Sequence, residues 1–260
     1  MTRVGVVSVT FRSLPVVEVA ALAAGCGLEL VEWGGDVHVP AGDLRAAGLA
    51  RRQCADRGLA VGGYSSYHKA GQDDPAAVAE LVRTAVELGA PRLRVWAGVH
   101  GSAQASPERR RAVVDALRAA ADEAAAAGLG LTVEHHVDSL TDTLASALAL
   151  HAEVAHPALV THWQPRELPD TDECVTEVRA LAPQVVHAFS WGADGFTERL
   201  PLARRTDLWR PVLAELAEQG GTAEVLLEFV PDDDPAALRR DAADLLGWRD
   251  APAPAGAGAR

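Results

Sequence analysis

The chain repeats one unit eight times: a short β-branched apolar run followed by a longer Ala/Leu-rich amphipathic stretch. The runs are 4–9, 28–33, 60–64, 93–96, 131–134, 158–163, 185–190 and 225–229. The helix-like stretches lie near residues 15–25, 43–57, 75–89, 107–127, 139–152, 172–182, 206–219 and 234–247. Short apolar runs bounded by turn residues read as buried strands, and longer periodic stretches read as helices. Strand followed by helix, eight times in about 250 residues, is the arithmetic of a (β/α)8 barrel. The alternative, a doubly wound open sheet, has fewer units and often a Gly-rich phosphate turn after its first strand. Here that turn reads Thr10-Phe11-Arg12-Ser13, and no GxGxxG, Walker-type or GxSxG motif occurs. The expected fold class is α/β, a single-domain (β/α)8 TIM barrel over residues 1–250.

Local signals support these bounds. Ser106-Pro107 supplies an N-cap and a first helical residue. Ser139 reads as the opening of the next helix, with Asp142 placed to complement its dipole. Gly58, Gly89 and Gly128 follow helix ends, where a left-handed residue is wanted. No linker composition interrupts 1–250, whereas residues 251–260, APAPAGAGAR, form a low-complexity tail expected to be disordered.

Composition excludes several classes. No run of ~18 apolar residues exists, so no membrane span is expected. The N-terminal MTRVGVVSVTF reads as a first strand, not a signal peptide. The 260 residues carry a net charge of −12, and of the 24 basic residues all but Lys69 are arginine. The arginine clusters 109–111, 204–205 and 239–240 fall in or before predicted helices, so a nucleic-acid partner is not expected. Cys26, Cys54 and Cys174 are odd in number and form no CxxC, which suits reduced thiols and a cytoplasmic location.

Barrels of this kind carry function at the C-terminal ends of their strands. Those ends are unusual here: Glu32-Trp33 followed by His38, Tyr64 to Lys69 with His68, Arg94 and Trp96, Glu134-His135-His136, His162-Trp163-Gln164, His187 with Trp191, and Glu228. The strand starts look bland. Alternation along a strand puts Thr132 with Glu134, His162 with Gln164, and Glu224 with Leu226 and Glu228. A carboxylate aimed into a barrel costs several kcal/mol unless compensated. Glu134 and Glu228, with His187 between them in sequence, therefore suggest a divalent metal such as Mn, Zn, Fe or Co. Trp33, Trp96, Trp163 and Trp191 fall at strand ends and are expected to ring the mouth. Glu32, Trp33, His38, His68, Arg94, Trp96, His136, His162 and Trp191 are the candidate substrate-binding residues. No phosphate cradle is visible; Arg199, Arg204 and Arg205 are candidates to hold a substrate phosphate.

The segments LVEWGGDVHVP, YSSYHKAG, RVWAG, VEHHVDSLTDT, HWQP, VHAFSW and LLEFVPDD, at successive strand ends, resemble the xylose isomerase-like barrel superfamily, the sugar phosphate isomerase/epimerase group. The resemblance spans residues 3–248. It implies one divalent metal (Mn, Co, Zn, Fe or Mg) held by Glu134, His187 and Glu228. Relatives place an Asp on strand six; this chain has Gln164-Pro165, so Gln164 is the matching ligand and His162, on the same face, its rival. The resemblance further implies that Glu134 and Glu228 exchange protons with a keto-sugar or sugar phosphate through a metal-bound cis-enediolate, as an isomerase or epimerase. It leaves open a lyase of the same fold, such as an inosose dehydratase or a carbon-glycoside-cleaving protein. It also leaves open a sugar-binding barrel without catalysis and an abasic-site endonuclease, which the charge opposes. Sugars or cyclitols are the implied partners, and relatives are often homo-oligomers.

Overall fold

The structure is a computed structural model and describes residues 1–167 and 170–251; the expected disordered tail lies outside the described residues from 252 onward. The barrel strands are β1 (Arg3–Val7), β2 (Leu30–Gly34), β3 (Ala60–Lys69), β4 (Arg92–Trp96), β5 (Gly130–Glu134), β6 (Leu159–Trp163) and β7 (Val185–Ala188). A two-stranded hairpin, β8 (Trp191–Gly192) and β9 (Gly195–Arg199), intervenes before β10 (Glu224–Leu227) closes the sheet. The closed order is β1-β10-β7-β6-β5-β4-β3-β2. Every neighbouring pair in it is parallel. The helices are α1 (Val16–Gly25), α2 (Leu44–Ala55), α3 (Ala77–Leu88), α4 (Pro107–Ala126), α5 (Leu144–Val154), α6 (Thr171–Leu181), α7 (Thr206–Glu218) and α8 (Pro235–Asp250). This is the (β/α)8 barrel that the eightfold alternation predicts.

Strand parity sorts the side chains into two cores. Val4, Val6, Val31, Trp33, Val133, Trp163, Val225 and Leu227 face outward and pack under the helices. Val7, Val9, Leu30, Val185 and Leu226 face inward and plug the barrel. Filling by alternate residues of neighbouring strands makes the centre a packed core and not a pore. Gly5 permits the close approach of β1 to β2, since a Cβ there would overlap the Leu30 carbonyl.

Most helix boundaries follow their signals. Ser106 caps α4 by accepting from the Arg109 amide at 3.3 Å. Gly58, Gly89 and Gly128 adopt φ of 70°, 74° and 77°. The Ser139 opening is corrected: α5 begins at Leu144 and is capped by Thr143, which accepts from the Ser146 amide. Ser139 and Thr143 are both hydroxyl residues suited to a cap. Ser139 is instead bonded to the His136 carbonyl at 2.7 Å, and Asp142 accepts from the Ser102 amide at 2.9 Å. The run at 185–190 stops at Ala188, after which the hairpin diverts the chain.

The strand starts are not bland either. Arg3, Arg92 and Glu224 meet inside the lower end of the barrel, with Glu224 bound by both guanidinium groups. Arg92 also donates to the Gly62 carbonyl at 2.8 Å. A strand opening on a charged residue looks like solvent-facing punctuation in sequence; parity turns these three inward. The three cysteines are free, as expected.

Candidate active site

Above the apolar plug, the inward residues at the upper strand ends are polar. Glu32 (β2), Arg94 (β4), Glu134 (β5), His162 (β6), His187 (β7) and Glu228, just past β10, are all at most 5% exposed. His187 lies between two carboxylates, with Nε2 at 3.2 Å from Glu32 Oε1 and Nδ1 at 3.1 Å from Glu228 Oε2. The ring of His162 sits edge-on to His187, centroids 4.1 Å apart. Arg94 Nη1 stands 2.9 Å from Glu134 Oε2, and its guanidinium lies over the Tyr67 ring at 5.5 Å. Residues as far apart in sequence as 32 and 187 thus share one layer.

Electrostatics bind this layer together. Burial alone would push the Glu32 carboxyl up, but His162, His187 and Arg94 hold it well below the usual carboxylate range. Burial pulls His187 down, yet Glu228 and Glu32 outweigh it and raise the imidazole well above its ordinary value. His162 goes the other way, driven down by burial and then by His187. Burial opposes the Arg94 charge, while Glu134 and Glu32 reinforce it, and the balance is a raised pKa.

The donor set fits a divalent cation. Both ring nitrogens of His162 are buried without a hydrogen bond, while Nδ1 of His187 and Oε2 of Glu134 are buried and meet only their ion-pair partners, Glu228 and Arg94. Buried polar atoms are ordinarily satisfied, so a cluster of exceptions marks a place for a ligand. Among the described residues, Glu32, His162 and His187 offer donor atoms within 4.8 Å of one another. Imidazole and carboxylate together suit a transition metal or Mg.

Next to this layer, but lined by none of its six side chains, lies a cavity of about 420 Å³. Its wall includes residues that directly follow the layer in sequence: His135 and His136 after Glu134, and Phe229 after Glu228. Gln164, Arg166, Phe189, Trp191, Phe196 and Arg199 complete much of the rest. Phe189, Trp191 and Phe229 pack on one another, with centroids 4.9–5.9 Å apart. Phe229 holds its place with a left-handed φ of 52°, which costs of order 1–3 kcal/mol in a non-glycine residue. On the opposite side, Trp96 stacks on His136 at 4.3 Å and carries the Lys69 ammonium 5.6 Å from its ring centroid.

The sequence candidates therefore divide. Glu32, Arg94, Glu134, His162, His187 and Glu228 come together in the buried layer. Gln164, His136 and Trp191 line the cavity, and Trp96 supports its wall through His136. Trp33 does not face the mouth: it is fully buried in the outer core. Trp163 is outward too, donating to Glu177 at 3.0 Å beneath α6. His38 contacts the Leu14 carbonyl at 3.0 Å and packs edge-on against Trp33. His68 lines a separate groove between α3 and α4, beside Val78 and Ala116. Both histidines are driven down by burial. Sequence reasoning missed Phe189, Phe196, Phe229 and Arg166. Phe189 lies two positions past His187, so continued alternation could have found it, and Phe229 was the last residue of a predicted strand. Phe196 sits on the hairpin, for which no strand was expected.

The xylose isomerase-like TIM barrel family matches residues 20–168, more than half of the chain. Among curated protein sequences none matches. Of solved structures, the probable 3-DHS dehydratase AsbF from Bacillus anthracis superposes with TM-score 0.79 at 20% identity, over 95% of this chain and 99% of that one. An L-ribulose 3-epimerase gives 0.71 at 18% identity, over 95% and 94%. A xylose isomerase-like TIM barrel protein from Mycobacterium smegmatis, in complex with magnesium, gives 0.71 at 16%, over 96% and 97%. At such identities the likeness speaks for the fold. No helix among the described residues is long and apolar enough to cross a membrane. With the barrel, the strand-end layer and the family match in agreement, this chain belongs to the xylose isomerase-like TIM barrel family.

Proposed function

We propose that the protein is a divalent-metal-dependent isomerase or epimerase of a keto-sugar, working by proton transfer next to a carbonyl. The observation that carries this reading is the buried layer of three carboxylates and two imidazoles, whose sequence neighbours His135 and Phe229 line an aromatic-walled cavity. The proposed ligands are His187 and Glu228, which stand 3.1 Å apart, with Glu134 and either Gln164 or His162; of these, His162 and His187 share a group of donor atoms within 4.8 Å of one another, together with Glu32. A bound divalent cation would supply Lewis-acid polarisation of the substrate carbonyl, which acidifies the adjacent C–H.

The chain's own residues supply the rest. Glu134 and Glu228 reach the layer from β5 and from the end of β10, so they can address a substrate from different directions. One removes the α-proton to give a cis-enediolate, and the other returns a proton either to the opposite face of the same carbon, which epimerises, or to the neighbouring carbon, which isomerises. General acid–base help of this kind contributes typically about 10²–10⁴-fold. Trp191 and Phe229 offer apolar faces to the C–H face of a sugar ring and exclude water. The cavity's two arginines are already engaged, Arg166 with Glu177 at 3.2 Å and Arg199 with Asp233. That favours an unphosphorylated substrate over a sugar phosphate.

A second reading is a lyase of the same fold, favoured by the likeness to the probable dehydratase along nearly its whole length. His135 serves that reading: it lines the cavity with a buried Nε2 that has no hydrogen-bond partner, placed to assist departure of a hydroxyl. Metal-reconstituted protein with a panel of ketoses and inososes in D₂O separates the two. Deuterium entering the α-carbon with carbon count and hydration unchanged supports the isomerase; loss of water supports the lyase. Neither exchange nor dehydration with any metal of the series would leave a binding barrel.

A further inference from the structure

Glu32 lies inside the barrel, only 2% exposed, below the cavity wall. Its Oε1 accepts from the Ser65 hydroxyl of the next strand and contacts His187 Nε2 at 3.2 Å. Gly63 leaves the space for it, since a Cβ at that position would stand 3.0 Å from Glu32 Oε2. The other nitrogen of His187, Nδ1, faces the Oε2 of Glu228, a proposed ligand, at 3.1 Å. The imidazole thus has two unlike sides. A neutral ring carries one N–H, and only the other nitrogen has a lone pair to offer a cation. Which nitrogen that is depends on the hydrogen bond made by its partner, and a carboxylate behind a ligating histidine is the common device.

We propose that Glu32 is a positioning residue: it holds the proton on His187 Nε2 and so presents the Nδ1 lone pair, on the Glu228 side, as the atom that ligates the cation. Ser65 fixes the carboxylate by occupying the same oxygen, and the rigid β2–β3 pair carries both. The inference rests on the proposed metal centre and adds to it which atom of His187 is used and why. The rival assignment makes Glu32 itself a ligand, since its carboxylate, His162 and His187 have donor atoms within 4.8 Å. The existing engagement of Oε1 with Ser65 and His187 argues for the supporting role.

Zinc alone, added to the full-length protein, provides the probe. Long-range proton–nitrogen NMR spectra of histidine-labelled, zinc-loaded wild type should show His187 protonated at Nε2 and coordinated through Nδ1. Competition titrations should show zinc binding about 10–100-fold weaker in Glu32→Ala. Glu32→Gln keeps an amide oxygen that accepts from Nε2–H, so its affinity should stay within a few-fold of wild type. A directly ligating carboxylate would lose well beyond a few-fold when Glu32→Gln removes its charge, and that result overturns the proposal. So does coordination through Nε2, or an unchanged affinity in Glu32→Ala. Should Glu32→Ala fail to fold, the wild-type spectrum and Glu32→Gln decide. Wild type that takes up no zinc overturns the metal centre as well, whereas zinc bound through Nε2 removes only the role of Glu32.

Discussion

Glu224 and Glu228 stand four residues apart on one face of the same strand segment, at opposite ends of the barrel interior. Glu224 is closed off as a salt: Arg3 takes one oxygen and Arg92 the other. Burial still pushes its pKa up, against the pull of Arg92 and Arg3. Glu228 shares its surroundings with two more carboxylates, one arginine and two histidines, and several nitrogens there have no hydrogen bond. At the lower end both carboxylate oxygens are taken and one buried donor, Arg92 Nε, lacks a partner; at the upper end several donors and acceptors do. Buried ion pairs become damaging chiefly when one partner is removed. A buried layer with unmet donors beside a cavity is instead a place to bind and react.

The sharpest test of this contrast is kinetic. Glu134→Gln and Glu228→Gln should each lower α-proton exchange by about 10²–10⁴-fold. Both variants should still fold, Glu134→Gln with a lower melting temperature because it leaves the buried Arg94 without its carboxylate. Wild-type exchange in either variant would remove that carboxylate from the proton-transferring pair. Glu224→Ala should give the reverse profile. It removes the side chain that both guanidinium groups bind, at a cost of about 3 kcal/mol, the low end for a broken buried pair because Arg3 is half-exposed. Urea denaturation reads that loss, and the folded variant should keep its turnover. A large drop in turnover with unchanged stability would dissolve the distinction between the two ends.

Asp241 on α8 falls between these cases. It is buried and accepts from the Leu202 amide at 3.0 Å. Burial pushes its carboxyl up to about 6. The folded state therefore binds the proton more tightly than the unfolded chain, and stability falls as pH rises from about 4 to about 6. Asp241→Asn keeps the acceptor without the charge. It should be more stable than wild type at pH 7 by about 1–2 kcal/mol and equal to it near pH 4. A constant difference across that range would contradict the assignment. The smallest effect belongs to the cavity wall: Trp191→Ala should raise KM up to about tenfold, from lost stacking of about 0.5–1.5 kcal/mol, with little change in kcat. An unchanged KM would take the aromatic wall out of substrate binding.

Much of this layout is legible in the chain. The alternation of Thr132 with Glu134, and of Glu224 with Leu226 and Glu228, predicts the inward face of β5 and β10 without any structure. The eight units predict the barrel, and the barrel predicts which strand ends matter. The tryptophans show where the signal fails. Trp33 and Trp163 end their strands as Trp96 does, yet their parity sends them under the helices, where bulk and apolar surface suit the outer core equally well. Ser139 and Thr143 show the same ambiguity at a helix start, because both residue types can cap and only the path of the preceding loop selects one. The aromatic wall escaped because part of it is carried by a hairpin too short to leave a periodic trace.

Periodicity is a property of neighbours along the chain, so the amino-acid order alone set the strands, the helices and the face on which each side chain emerges. Which of those faces confront one another was decided by closure of the sheet. Closure brings Glu32 to His187 and Arg94 to Glu134, and at the other rim Arg3 and Arg92 to Glu224, across separations of 155, 40, 221 and 132 residues. No local pattern encodes such pairings. Once paired, burial lowers the dielectric around them, and the same glutamate becomes a structural counter-ion at one end and a reactive group at the other.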